Sequence, residues 1–174
     1  MKNKFDWNSQ NVLITGIHGF VGSNLCKKII KKGANVYGLH KNNSTKSLLE
    51  YEKIKNFNSI SYNNTDLNNI VDLIVDKNIK FCFHFAAKVE VKQAESLPFQ
   101  TFENNNMLTL KLLEAFRISK NLKSFIYTST DKVYGDVDIN HLPYKENYTP
   151  KAINPYEVSK LNCENICKSY SHLY

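Results

Sequence analysis

A chain of 174 residues with 42% hydrophobic side chains can bury one good core and has no room for a second, so a single α/β domain over residues 1–174 is expected. The net charge of +7 comes from lysines scattered along the chain, with Arg117 the only arginine, whereas a nucleic-acid binder would concentrate its basic residues. No apolar run could span a bilayer, and the polar start from Met1 to Gln10 has no signal-peptide core. Both observations predict a soluble, cytoplasmic protein with neither nucleic acid nor membrane as a partner. Cys26, Cys82, Cys163 and Cys167 lack zinc-ribbon spacing and read as buried thiols, with no metal site.

Val12, Leu13 and Ile14 form a first predicted strand, and Thr15 to Gly22, Thr-Gly-Ile-His-Gly-Phe-Val-Gly, lead from it into a helix. Gly16, Gly19 and Gly22 let the turn fold sharply, bring backbone close to a diphosphate and let the helix lie against its strand. The N–H groups of Phe20 and Val21, at the positive end of the helix dipole, suit a pyrophosphate. Val21, Leu25 and Ile29 recur every four residues and carry the helix to about Lys32, before Gly33. Val36 to Leu39 is a second strand whose end bears on cofactor choice. A carboxylate there binds the ribose hydroxyls of NAD, and basic residues accommodate the 2′-phosphate of NADP. His40 and Lys41 occupy that end with no carboxylate nearby, which favours NADP, although Lys41 also reads as an ordinary exposed loop lysine.

A polar helix is expected from Thr45 to Lys55 and a short third strand from Ser59 to Tyr62. Thr65-Asp66-Leu67 then opens another helix, with Asp66 a natural cap. Phe81 to Phe85 is a buried fourth strand ending in Ala86-Ala87, whose small side chains would admit a ligand close to the backbone. Pro98 begins a long helix through Lys120 with Leu108, Leu112, Leu113 and Phe116 on its inner face, and Ser124 to Thr128 is the fifth strand. Strands alternating with helices in this way predict a doubly wound parallel sheet. Ligands in such sheets bind beyond the carboxyl ends of the strands, where the glycine turn, Ala86-Ala87 and Ser129-Thr130 all fall.

Two segments carry chemistry. Ser129-Thr130-Asp131-Lys132-Val133-Tyr134-Gly135 leaves the fifth strand with a hydroxyl, a carboxylate and an ammonium at Thr130, Asp131 and Lys132. Tyr156-Glu-Val-Ser-Lys160 opens a helix begun by Pro155, so Tyr156 and Lys160 share one face. An ammonium beside a phenol favours the phenolate, which makes Tyr156 a candidate general base at neutral pH.

From Val12 to Lys168 the chain resembles the extended short-chain dehydrogenases that modify nucleotide sugars, the NAD-dependent epimerase/dehydratase family. The resemblance is carried in order by the glycine stretch at 15–22, Asp66-Leu67, His84-Phe-Ala-Ala87, Asn104-Asn105 before Leu112-Leu-Glu-Ala115, and Tyr156 with Lys160. It implies a Rossmann-like fold in which Gly16, Gly19, Phe20, Val21 and Gly22 hold the pyrophosphate. It also implies that Asp66 and Leu67 border the adenine, that Phe85, Ala86 and Ala87 line the cofactor, and that Asn104 lies near it. Thr130, Tyr156 and Lys160 would form the catalytic set, with Tyr156 and Lys160 also touching the cofactor.

Within the family, Ser-Thr-Asp-Lys-Val-Tyr-Gly resembles the 4,6-dehydratases of CDP-glucose and GDP-mannose, and the likeness continues through Leu142-Pro-Tyr-Lys-Glu146 and Asn154-Pro-Tyr156. The implied reaction oxidises the sugar at C4, loses water across C5 and C6 with help from Asp131 and Lys132, and yields a 4-keto-6-deoxy sugar nucleotide. Lys132 stands where some dehydratases carry a glutamate base. The rival expectations are a 4-epimerase on the same scaffold and an inactive cofactor-binding module. Relatives are about twice as long, so the resemblance also implies that a carboxyl-terminal substrate-binding portion is absent and that the sheet is incomplete on that side. A nucleotide-diphosphate sugar is the expected substrate, and a second copy or a complementary chain the expected protein partner.

Overall fold

The computed structural model describes residues 5–41, 47–61 and 66–174. They divide into two compact units, one within Met1–Ala86 and Glu114–Ile126, the other comprising Ala87–Leu113 and Tyr127–Tyr174.

The first unit is built on a parallel sheet. Its strands are β1 (Asn11–Thr15), β2 (Asn35–His40), β3 (Asn58–Ser61), β4 (Phe81–His84) and β5 (Ser124–Tyr127), in the spatial order β3-β2-β1-β4-β5. β1 lies between β2 and β4, with Val12 opposite both Val36 and Phe81, and its apolar run is buried on both faces, as a central parallel strand requires. Helix α1 (Phe20–Ile30) joins β1 to β2, α2 (Leu48–Tyr51) precedes β3, and α3 (Leu67–Asp76) leads to β4. Ile17, Cys26, Ile29, Leu49 and Phe81 pack with β1 and β2 into one core, against which Trp7, Leu25, Phe57 and Phe83 rest. Because the chain runs β1 to β3 in one direction and then returns to place β4 on the other side of β1, the strand order reverses at the carboxyl ends of β1 and β4. A crevice at such a reversal is where doubly wound sheets take ligands.

The second unit is largely helical: α4 (Val91–Ser96), α5 (Pro98–Phe102), the start of α6 (Leu108–Ser119) and α7 (Pro155–Leu173). Helix α7 is set by a capping box. Asn154 Oδ1 accepts from Tyr156 N at 2.9 Å, the Glu157 carboxylate accepts from Asn154 N at 3.2 Å, and Pro155 occupies the first turn, where its missing N–H costs nothing. Tyr156, Ser159, Lys160 and Cys163 are the buried positions of this helix, one face at spacings of three and four.

Several expectations are corrected. Helix α1 ends at Ile30, because Lys32 N and Gly33 N bond to Ile29 O and Ile30 O and tighten the last turn. Its buried face is Gly22, Ser23, Cys26 and Ile29, while Val21 is 53% exposed. Helix α2 is only one turn long, and Lys53 leaves it with a left-handed φ of 55°. Thr45 and Tyr62, the outer ends of the predicted second helix and third strand, lie outside the described residues, as does Thr65. The predicted helix from Pro98 to Lys120 is interrupted by a π-helical turn at Glu103–Met107, and Lys120, at φ 56°, lies beyond its end. Leu108, Leu112, Leu113 and Phe116 are buried, as their periodicity predicts. No helix among the described residues is long and apolar enough to cross a membrane.

Candidate functional site

In the first unit the candidate residues gather at the glycine turn. Gly16 has φ +67°, and a Cβ there would lie 2.9 Å from Ala86 N. A Cβ on Gly22 would lie 2.4 Å from Gly16 O, so α1 reaches the turn only because residue 22 has no side chain. Thr15 ties the ends of β1 and β4 together. Its Oγ1 is 2.6 Å from Nδ1 of His84, the last residue of β4, and accepts from Ala86 N at 3.1 Å, while its carbonyl accepts from Phe85 N at 3.3 Å.

The start of α1 is bare. Gly19 gives no side-chain cap, the first turn contains no carboxylate, and Phe20 is 85% exposed. The first bond inside the helix is Ser23 N to Gly19 O at 2.9 Å, so the N–H groups of Phe20 and Val21 precede it. Unshielded N–H groups at the positive end of an 11-residue helix, reached over a turn with no Cβ, can hold a diphosphate.

At the end of β2, His40 Nδ1 donates to Lys41 O at 3.0 Å and His40 Nε2 lies 2.9 Å from Ser59 Oγ. His18, from the glycine turn, sets its ring edge-on to His40 with centroids 4.7 Å apart and pairs with Ser47 Oγ at 2.9 Å. Burial, and then the neighbouring His40, hold His18 below the usual histidine range against the opposing pull of Glu50. Lys41 is exposed. Asp66 caps α3, its Oδ1 accepting from Leu67 N at 2.6 Å.

In the second unit the candidate residues fall on α7 and on the segment after β5. Tyr156 and Lys160 are both buried, Lys160 to 4% exposure. The Lys160 ammonium donates to Thr128 O at 2.5 Å and lies 4.4 Å from the Tyr127 ring centroid. Burial pulls its pKa from 10.5 down to about 8, opposed by Cys163, Glu164 and Cys167. Burial, followed by the adjacent Cys163, holds the Tyr127 phenol well above its ordinary range. Thr130 caps a 3₁₀ turn over Asp131–Tyr134, its Oγ1 accepting from Lys132 N at 3.3 Å and donating to Asp131 Oδ1 at 3.2 Å. Asp131 and Lys132 are exposed.

Asn104 and Asn105 divide differently from the sequence reading. Asn104 Nδ2 donates to Gln100 O at 2.5 Å, on the outer side of the π-helical turn. Asn105 is 2% exposed and accepts from Lys88 N at 2.8 Å while donating to Lys88 O and Ser159 Oγ. Sequence reasoning passed over Asn105, although Asn105, Leu108, Leu112 and Phe116 continue one helical face. It also missed Glu164, which accepts a short hydrogen bond from Ser129 Oγ and stands four residues after Lys160. Cys163 is buried and receives Thr109 Oγ1 at 3.2 Å; Cys167 is pushed by burial up to about 12. Among the described residues no group of three or more histidines, cysteines or carboxylates could hold a metal ion.

The family model described as GDP-mannose 4,6 dehydratase matches residues 13–174. The chain belongs to this family of NAD-dependent epimerases and dehydratases. As one member among relatives, it is 33% identical to dTDP-D-glucose 4,6-dehydratase of Dictyostelium discoideum over 98% of its own length and 42% of that protein. Among solved structures it resembles UDP-glucose 4-epimerase from Brucella ovis in complex with NAD (TM-score 0.83, 26% identity, 95% of this chain and 49% of that one). It also resembles UDP-glucuronic acid 4-epimerase from Bacillus cereus in complex with UDP-glucuronic acid and NAD (TM-score 0.80, 31% identity, 95% and 53%). The chain thus spans about half or less of the curated relatives it matches. Dehydratases and epimerases both stand among these relatives.

Proposed function

We propose that this chain supplies the dinucleotide-binding and proton-handling residues of a nucleotide-sugar 4,6-dehydratase. The observation that carries the reading is the buried Tyr156 and Lys160 face of α7, together with a turn in which a carboxylate and an ammonium directly follow Thr130. Gly16, Gly19, Gly22 and the N–H groups of Phe20 and Val21 hold the diphosphate, and Phe85, Ala86, Ala87 and Asn104 border the dinucleotide. Asp66, beyond capping α3, and Leu67 lie at the adenine. When bound, the dinucleotide supplies hydride acceptance and return.

Tyr156 accepts the proton of the sugar C4 hydroxyl, and the charge on Lys160 favours the phenolate that does so. Thr130 donates to the oxygen that becomes the C4 ketone. The ketone acidifies C5–H, and Asp131 with Lys132 moves the C5 proton and assists departure of the C6 hydroxyl as water. Asp131 is the group that favours this chemistry over simple epimerisation. Likeness to UDP-glucose 4-epimerase supports the second reading, in which Tyr156 and Lys160 act alone and hydride returns to C4.

NADP is the proposed dinucleotide, because the sequence from His40 to Ser47 contains no carboxylate to meet the ribose hydroxyls. The purified protein, given NADP or NAD with GDP-mannose, CDP-glucose, dTDP-glucose or UDP-glucose, should yield a product lighter by one water that carries a 4-keto group. A C4 epimer of unchanged mass as the sole product would replace the dehydratase reading by the epimerase one. Dinucleotide binding without turnover of any of these sugars would remove both.

A further inference from the structure

Two hydrogen bonds one helical turn apart lace α7 to the segment leaving β5. Lys160 Nζ donates to Thr128 O, and Ser129 Oγ donates to the Glu164 carboxylate. Lys160 and Glu164, four residues apart, project from the same side of the helix. Thr130 is the next residue after Ser129 and opens the turn that carries Asp131 and Lys132, so the position of its hydroxyl is set by how firmly residues 128 and 129 are held.

The charges around Lys160 make Glu164 matter a second time. The Tyr127 ring lies against the ammonium, and Cys163, Glu164 and Cys167 of α7 are the titratable groups that act on it. The Cys167 thiol is pushed up to about 12 and is neutral at physiological pH. Among the described residues Glu164 is the one carboxylate that acts on Lys160, and it opposes the burial that works against the ammonium. Its other oxygen is 3.7 Å from the exposed Lys168 Nζ, a solvent-screened pair that leaves most of its charge to act inward.

We propose that Glu164 is a positioning residue: through Ser129 it fixes the backbone that presents Thr130, and through its charge it holds Lys160 as the ammonium. This rests on the roles given above to Thr130, Tyr156 and Lys160. The two effects separate by substitution. Glu164→Gln keeps an acceptor for Ser129 and removes the charge, whereas Glu164→Asp keeps the charge and withdraws it from Ser129, as Ser129→Ala removes the tether from the other side.

The test is the titration midpoint of Lys160, followed by NMR on lysine labelled at Cε, together with kcat and KM against pH. In Glu164→Gln the midpoint should fall by about one pH unit, as expected for loss of a nearby opposite charge. The alkaline limb of kcat should fall with it, and KM should hardly change. In Glu164→Asp and Ser129→Ala the midpoint should stay near its original value while kcat drops about tenfold or more, an effect a loosened hydroxyl would have. A Lys160 midpoint in Glu164→Gln equal to that of the unaltered protein overturns the electrostatic half, and Ser129→Ala with full kcat overturns the positional half. If the NMR midpoint moves and the kinetic limb does not, Glu164 still governs Lys160, and it is the catalytic role of Lys160 that is lost.

Discussion

Asn105 and Ser159, 54 positions apart in the sequence, are joined by a 2.9 Å hydrogen bond from Asn105 Nδ2 to Ser159 Oγ, and the same asparagine holds both the N–H and the carbonyl of Lys88. One buried side chain thus fixes the chain after β4 against the helix that carries Tyr156 and Lys160. The π-helical turn at Glu103–Met107 is where this side chain enters, consistent with the tendency of such turns to sit at functional positions. Asn105→Ala takes the side-chain partner from the part-buried Lys88 N–H and carbonyl and one bond from Ser159 Oγ, which keeps Tyr156 O, and should lower stability by about 2–3 kcal/mol. Asn104→Ala removes a side chain whose bond to Gln100 O lies on the exposed side of the helix, and should cost less than Asn105→Ala. Urea denaturation of the two variants checks the contrast, and equal losses would show that Asn105 is no clamp.

The glycine turn makes a second prediction. Gly22→Ala forces a methyl against Gly16 O, where it would sit at 2.4 Å, and overpacking of this kind costs about 1–3 kcal/mol. Because the strain falls on the loop proposed to meet the diphosphate, dinucleotide affinity measured by calorimetry should weaken more than the melting temperature alone suggests. Unchanged affinity would separate the turn from cofactor binding.

Lys160 gives a prediction with a defined sign. Its pKa is about 8 in the folded chain and 10.5 as its ordinary value, so between these the unfolded chain binds more protons than the folded one. Folding stability therefore rises with pH across this window, and below pH 8 the buried ammonium destabilises the fold by up to about 3 kcal/mol. Lys160→Met has no such group. The difference in unfolding free energy between the unaltered protein and this variant should shift toward the unaltered protein as pH goes from 7 to 10. In the same range, on the roles proposed for Tyr156 and Lys160, hydride transfer by the unaltered protein should decline through pH 8 as Lys160 loses its charge. A pH-independent stability difference would mean that Lys160 is not desolvated as the structure has it.

The proposed NADP preference turns on the end of β2, where His40 and Lys41 stand with no carboxylate nearby in the sequence. His40→Asp supplies the missing carboxylate there, and should weaken NADP binding at least about tenfold while strengthening that of NAD. Calorimetric dissociation constants for both dinucleotides decide it. Tighter NAD than NADP binding by the unaltered protein would reverse the assignment.

Much of this was legible before the structure. Strands β1, β2, β4 and β5 announced themselves as apolar runs bounded by polar turns, whereas β3 has only Ile60 among polar residues, and the glycine turn, the Thr130 segment and the Tyr156 helix each sit in one continuous stretch. What escaped was made by distant residues. His18 meets His40 and Ser47 only because the glycine turn and the ends of β2 and α2 converge. The π-helical turn escaped because Leu108, Leu112, Leu113 and Phe116 all lie beyond it in α6, so their periodicity carries no trace of the turn at Glu103–Met107. Asn105 and Glu164 are polar residues whose partners lie tens of positions away, so spacing could nominate them without saying what they hold. Helix α2 was overextended because a polar helical composition does not reveal that Ile54 N turns back to Leu49 O.

Hydride transfer in the Tyr156→Phe variant bears most directly on the whole account. In single turnover with bound dinucleotide and the accepted sugar nucleotide, reduction of the nicotinamide should fall about a thousandfold relative to the unaltered protein, within the range general-base catalysis contributes, while dinucleotide affinity stays the same. A variant that reduces its nicotinamide at the original rate would show that the proton is taken elsewhere, and that α7 does not carry the base.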